Sequence, residues 1–129
     1  MDGEIISLKS FHGKYVEAGL NGGANANSNG VGSWERFRVE HVSGSKIALK
    51  SVAHNKYLVA EPDGDCNANR QNRGPWEEFH LEEVSGDIAL KSHHGKYVVA
   101  EKDGRLRADR DACSGWEVFQ YDTIPQGMV

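Results

Sequence analysis

The sequence predicts an all-β chain built from three copies of one unit of about 41 residues. Three observations predict it. The segment Leu90-Lys91-Ser92-His93-His94-Gly95-Lys96-Tyr97-Val98-Val99-Ala100 recurs as Leu8-Lys9-Ser10-Phe11-His12-Gly13-Lys14-Tyr15-Val16-Glu17-Ala18, and again between Leu49 and Ala60 with one residue more in its turn. Each copy leads at matched spacing to Trp-Glu-x-Phe, at Trp34 to Phe37, Trp76 to Phe79 and Trp116 to Phe119. The opening leucines Leu8, Leu49 and Leu90 are 41 residues apart each time. A fixed period of this length decides the architecture before local detail does.

Each unit divides into four short pieces with period-two alternation, separated by Gly, Asn, Asp and Ser. The first piece places Ile6 and Leu8 on one face, then Ile47 and Leu49, then Ile88 and Leu90. The turn after it carries Gly13, Asn55 or Gly95, residues suited to positive φ. The second piece points Val16 and Ala18 inward, with Leu58 and Ala60, and Val98 and Ala100, as counterparts. Asn21-Gly22, Asp63-Gly64 and Asp103-Gly104 follow, the strongest local hairpin signal. The third piece buries Ala24 and Ala26, Cys66 and Ala68, Leu106 and Ala108. The fourth buries Phe37 and Val39, Phe79 and Leu81, Phe119 and Tyr121. No long segment has helical period. One unit buries only half of its apolar face, whereas three about a pseudo-threefold axis bury the rest and leave few open edges. The expectation is a single β-trefoil domain over residues 1–129, with repeats at about 4–44, 45–86 and 87–123.

Bulk properties narrow the function. A net charge of −4, with no basic run, points away from nucleic acid and anionic membranes. No run of about eighteen apolar residues predicts a membrane span. The acidic start Met1-Asp2-Gly3-Glu4 has no apolar signal core, so the expected location is the cytoplasm, with release by a non-classical route still open. Cys66 aligns with Ala24 and Leu106 at a core position, and Cys113 falls in a loop, so both thiols are expected free.

The repeated Leu-Lys-Ser, His-Gly-Lys-Tyr-Val, Ala-Glu, Asp-Gly and Gly-x-Trp-Glu-x-Phe resemble the repeat of fascin-type trefoils, best in the third unit. The opening Gly86-Asp87-Ile88-Ala89-Leu90-Lys91 is similar to that of hisactophilin. The length and strong internal repetition also resemble small lectins of marine bivalves. The resemblance runs over roughly residues 4–122 and implies the trefoil fold more strongly than any one function, since one scaffold hosts many. Fascin bundles actin with several trefoils in a chain, and this chain carries one. Hisactophilin is covered in histidine, whereas here there are six.

No catalytic constellation is visible: no Gly-x-Ser-x-Gly elbow, P-loop, dinucleotide fingerprint or His-Glu-x-x-His pair. The expectation is a binding protein without cofactor or metal. Neighbouring His93 and His94, read at a strand end, would face opposite ways and make a poor metal site. Trp34, Trp76 and Trp116 read as caps on the core, and Tyr15, Tyr57 and Tyr97 as packed rings with bonded hydroxyls. Glu35, Glu77 and Glu117 read as partners of turn amides or of Lys9, Lys50 and Lys91.

What remains is a repeated polar rim of rigid donors and acceptors, the kind that sugar hydroxyls require. The third unit carries the fullest set: His94, Lys96, Glu101, Asp103, Arg107, Asp109 and Arg110. The second keeps His54, Lys56, Glu61, Asp63, Asn69 and Arg70. The first has Gly19 in place of the acid and Ser28 in place of the arginine. The leading expectation is therefore a lectin for cell-surface glycans, with sites in repeats 3 and 2. The alternative is an F-actin-binding protein of the fascin or hisactophilin kind. A homodimer is compatible with either.

Overall fold

Turn chemistry places the strands. The computed structural model describes residues 1–125. Strands β1 (Ile5–Lys9), β2 (Tyr15–Ala18) and β3 (Ala24–Ser28) lead through a 3-10 turn at Ser33–Glu35 to β4 (Phe37–Ser43). The same order follows as β5 (Lys46–Ser51), β6 (Tyr57–Ala60), β7 (Cys66–Arg70), a turn at Pro75–Glu77 and β8 (Phe79–Val84). It follows again as β9 (Asp87–Lys91), β10 (Tyr97–Ala100), β11 (Leu106–Arg110), a turn at Gly115–Glu117 and β12 (Gln120–Ile124). Asn55, at φ 55°, stands where the other units carry Gly13 and Gly95, and Asn tolerates this region better than any residue with a larger side chain. Ser85 and Gly86 both take positive φ, 53° and 90°, between paired Val84 and Asp87, which makes a two-residue hairpin matched to strand twist.

The twelve strands of the described residues form one antiparallel sheet. β4 pairs β5 and β8 pairs β9 along their lengths. β1 pairs β4, and β5 pairs β8, over two residues each. β12 returns to β1 with Ile5 opposite Ile124 and Lys9 opposite Gln120. The sheet is thereby a nearly closed barrel, and closure removes the edges that would otherwise invite association.

The core is the barrel interior. Phe37, Phe79 and Phe119 meet there with Ile6, Leu8, Leu49, Leu58, Ile88, Leu90 and Val98, all fully buried. The inward assignments hold for the first three pieces of every unit, with Ala24 packed partly buried against the cluster. They hold for Phe37, Val39 and Phe79, and Leu81 is partly buried. Tyr121 departs: it was expected inside and is 36% exposed. A phenol ring is larger than the matched Val39 and Leu81, and its hydroxyl needs water or a partner.

Alternation also missed a second buried layer. Ala48, Ala89, Val59 and Val99 point away from the core and yet are fully buried. The 3-10 turns carrying the tryptophans lie against β2, β6 and β10, the last two being the strands of Val59 and Val99.

Both cysteines are free, Cys66 buried and Cys113 half-buried. Burial, reinforced by the Asp65 charge, pushes the Cys66 thiol up to about 12. Cys113 is raised as well, first by burial and then by Glu117 and Glu82. A soluble maleimide is expected to label Cys113 in the native protein and Cys66 only after unfolding. Labelling of both at equal rates by mass spectrometry would contradict the core placement. The folded state keeps the Cys66 proton to higher pH than the unfolded chain. This stability is therefore present below pH 9 and falls as pH rises towards about 12.

Candidate functional site

The polar rim is built on three hairpins that touch one another. Each turn carbonyl accepts a backbone hydrogen bond from a neighbouring third strand. Ala26 N–H donates to Gly104, Ala68 N–H to Gly22 and Ala108 N–H to Gly64, at 2.8 Å each. At Gly64 an added Cβ would sit 3.0 Å from the Asp109 Cβ, and at Gly104 2.8 Å from the Asn27 Cγ, with φ 93° and 95°. Only glycine meets both demands, the left-handed backbone and the close approach. Asp109 thus has its stem against the next hairpin, and Asn69 lies likewise against Gly22.

The charged side chains face each other across this frame. In repeat 2 Arg70 Nη2 is 2.7 Å from Glu61 Oε1, and its Nη1 donates to Asn69 Oδ1 at 2.7 Å. Asn67 donates to the other Glu61 oxygen at 3.1 Å. In repeat 3 Arg110 Nη2 is 2.8 Å from Glu101, and Nη1 is 2.7 Å from Asp109. Arg107 Nε donates to the second Asp109 oxygen at 3.0 Å, and its Nη2 to the Asp63 carbonyl at 3.3 Å. Burial works against the Arg110 charge, yet the hydrogen bond and charge of Glu101, with Asp109 and Glu117, hold its pKa above the ordinary value. Arg107 is raised mainly by the Asp109 hydrogen bond.

The expected rim residues do not form one cluster. Glu101, Arg107, Asp109 and Arg110 come together, and Glu61, Asn69 and Arg70 form a smaller copy. Asp103 pairs instead with Arg105 on its own turn, where the Arg105 N–H lowers its pKa. Lys96 pairs with Asp111 and lowers that carboxyl. Asp63 caps its turn by accepting the Asp65 N–H at 3.0 Å. His54 and Lys56 line a groove of about 240 Å³ with Leu20, Asn21 and Asn69, and Asp63, His94, Lys96 and Asp109 line one of about 320 Å³.

His54 and His94 were expected to face a ligand, and the structure gives their Nε2 other work. His54 Nε2 lies 3.1 Å from the Ala18 carbonyl and His94 Nε2 3.1 Å from that of Ala60, as His12 does to Ala100. A carbonyl only accepts, so each Nε2 carries the proton and joins one unit to the second strand of the preceding one. The rings of His54, His94 and His12 rest on Trp34, Trp76 and Trp116 at 5.3, 5.4 and 4.7 Å. His93 and His94 sit in a turn rather than at a strand end, and their rings meet edge-on at 5.5 Å instead of pointing apart. Among the described residues no three His, Cys, Asp or Glu side chains group as a metal ion would need.

Glu35, Glu77 and Glu117 are buried and hold turn amides. Their Oε1 atoms accept the N–H of Gly32, Gly74 and Ser114 at 2.6, 2.6 and 2.7 Å. Lys9, Lys50 and Lys91 lie over Tyr15, Tyr57 and Tyr97, and the Tyr57 and Tyr97 hydroxyls donate to Glu40 and Glu82. Sequence reasoning missed Asp65, 3.5 Å from Arg107, because that pair joins different units. It also missed that Glu77 and Glu117 stand behind Arg70 and Arg110, at 3.9 and 4.0 Å.

Residues 1–81 match the FRG1-like domain, and residues 51–121 match the fascin domain. No curated protein matches the chain. Among the described residues no helix is long and apolar enough to cross a membrane.

Proposed function

The chain belongs to the fascin-type domain family, and from that premise we propose that it is a non-enzymatic protein that binds actin filaments. The observation that carries the reading is the fascin-domain match over residues 51–121. We also read the barrel as a β-trefoil of three repeats in one domain. The recurring element order and the three histidine-to-carbonyl links from unit to unit support this.

Carbohydrate binding has less behind it than the polar rim promised. Arg70, Arg110, Asp109, His54 and His94 spend hydrogen-bonding capacity on the protein itself. A sugar hydroxyl would have to displace bonds already made, many of them charge-assisted. The family match favours a filament partner instead.

Co-sedimentation tests the proposal. The protein is expected to pellet with F-actin and to stay in solution without it. A supernatant that keeps all of the protein at every filament concentration would overturn the reading. A glycan array run beside it gives the other outcome, since saturable glycan binding without pelleting would return the function to carbohydrate recognition.

A further inference from the structure

A chain with net charge −4 that grips a partner by charge needs a local surplus of cations. The arginines of repeats 2 and 3 do not supply one, because Arg70, Arg73, Arg105, Arg107 and Arg110 are each paired with an acid. The surplus lies elsewhere, on the barrel wall. Lys46 of β5 stands directly opposite His80 of β8, and His80 directly opposite Lys91 of β9. Three basic side chains thus form one row across three adjacent strands.

The row lines a cavity of about 240 Å³, together with His93, Ser92 and Glu78. Glu78 is its one acid, 4.0 Å from Lys46. Lys91 lies over the Tyr97 ring at 5.3 Å. His80 Nδ1 is 3.3 Å from the Ser45 hydroxyl. His80 and His93 are exposed.

The matched places in the other units are not built this way. In repeat 1 the row reads Ile5, Arg38 and Lys50. Between repeats 3 and 1 a larger cavity of about 500 Å³ is lined by Lys9, Asp87 and Gln120, with Phe11 and Val118. There the acid Asp87 takes the place of Lys46, and Gln120 that of His80. Among the described residues Lys91 makes no ion pair and Lys46 makes one only at 4.0 Å, so the protein itself answers the charge of this row weakly.

We propose that this cavity docks an acidic peptide segment of a partner protein, with carboxylates held by Lys46 and Lys91 and by the ring N–H groups of His80 and His93. The filament-binding reading supplies the identity of the partner, and on that point the inference rests on it. The geometry favours carboxylates over phosphate. The cations are spread along a row of strands spaced about 4.8 Å apart, so they offer separate partners to successive side chains. Phosphate sites instead tend to close backbone N–H groups around one anion.

The test uses the full chain and a hexaglutamate peptide. Titration is expected to shift the ring resonances of both His80 and His93 saturably, and added salt to weaken binding. Lys46→Glu is expected to weaken it about tenfold or more, and the milder Lys46→Gln, which removes the cation beside Glu78 without adding a second acid, to weaken it less. Lys102→Glu changes the net charge equally to Lys46→Glu on an exposed turn outside the cavity and is expected to have little effect. Absent shifts at His80 and His93, or equal binding by Lys46→Glu and Lys102→Glu, would overturn the inference. So would polyphosphate shifting these rings where hexaglutamate does not. Pelleting with filaments separates the two proposals. If the parent protein does not pellet but binds hexaglutamate through these residues, the filament reading falls and the cavity stands. If the parent and Lys46→Glu pellet equally, the filament reading stands and the cavity's part in it falls.

Discussion

Leu90→Ala is expected to destabilise the fold by about 2–5 kcal/mol. Leu90 is 1% exposed and stands opposite Leu81 across β8 and β9. It belongs to the cluster that holds Phe37, Phe79 and Phe119, so the lost methyl groups leave a cavity shared by all three units. A closed barrel relaxes poorly around such a gap, because the strands on both sides are fixed by their own pairing. Leu8 and Leu49 occupy the matched places with the same burial, and truncating either is expected to cost a similar amount. Urea unfolding measures it, with the midpoint falling and the slope unchanged. A loss of only a few tenths of a kcal/mol would refute the inward assignment of the first strands.

That assignment was legible because it is local. Ile6 and Leu8, or Ile88 and Leu90, alternate within one strand, and the Asn-Gly and Asp-Gly turns fix where strands end. Val59 and Val99 were not legible, since the turn that lies against their strands is some 15 to 20 positions further on. The polar rim was half legible. The sequence placed Glu101 and Arg110 in one polar set, and the two pair because both lie on one hairpin. The bonds of His54 and His94 were not legible, because their partners, Ala18 and Ala60, sit in the preceding unit. One signal was available: a histidine kept at the same turn in all three units, like the tryptophan it packs on, argues for a framework role. The row of Lys46, His80 and Lys91 had no signal at all, since β5 meets β8 only in the closed barrel.

Glu117→Ala is expected to cost about 1–3 kcal/mol, as a buried donor loses its acceptor. Glu117 is 3% exposed, and its Oε1 accepts from both the N–H and the hydroxyl of Ser114, at 2.7 and 2.8 Å. These bonds hold the 3-10 turn that seats Trp116 and lies against β10. The second oxygen lies 4.0 Å from Arg110, so the charge has its own partner. Glu117→Gln keeps an oxygen for Ser114 and removes the charge, and it is expected to cost less than Glu117→Ala. Comparison across the units then isolates the arginine. Glu77 has Arg70 behind it at 3.9 Å, whereas at Glu35 the matched residue is Ser28, whose hydroxyl donates to the Gly30 carbonyl instead. Neutralising a buried carboxylate with no arginine behind it removes a desolvation cost, while neutralising one that faces an arginine also gives up their attraction, although Arg70 and Arg110 keep Glu61 and Glu101 as closer partners. Glu35→Gln is therefore expected to be close to neutral, and Glu77→Gln and Glu117→Gln to destabilise. Equal losses for all three in urea unfolding would mean that the glutamates act only through their turn amides, and that the arginines of repeats 2 and 3 do not draw on them.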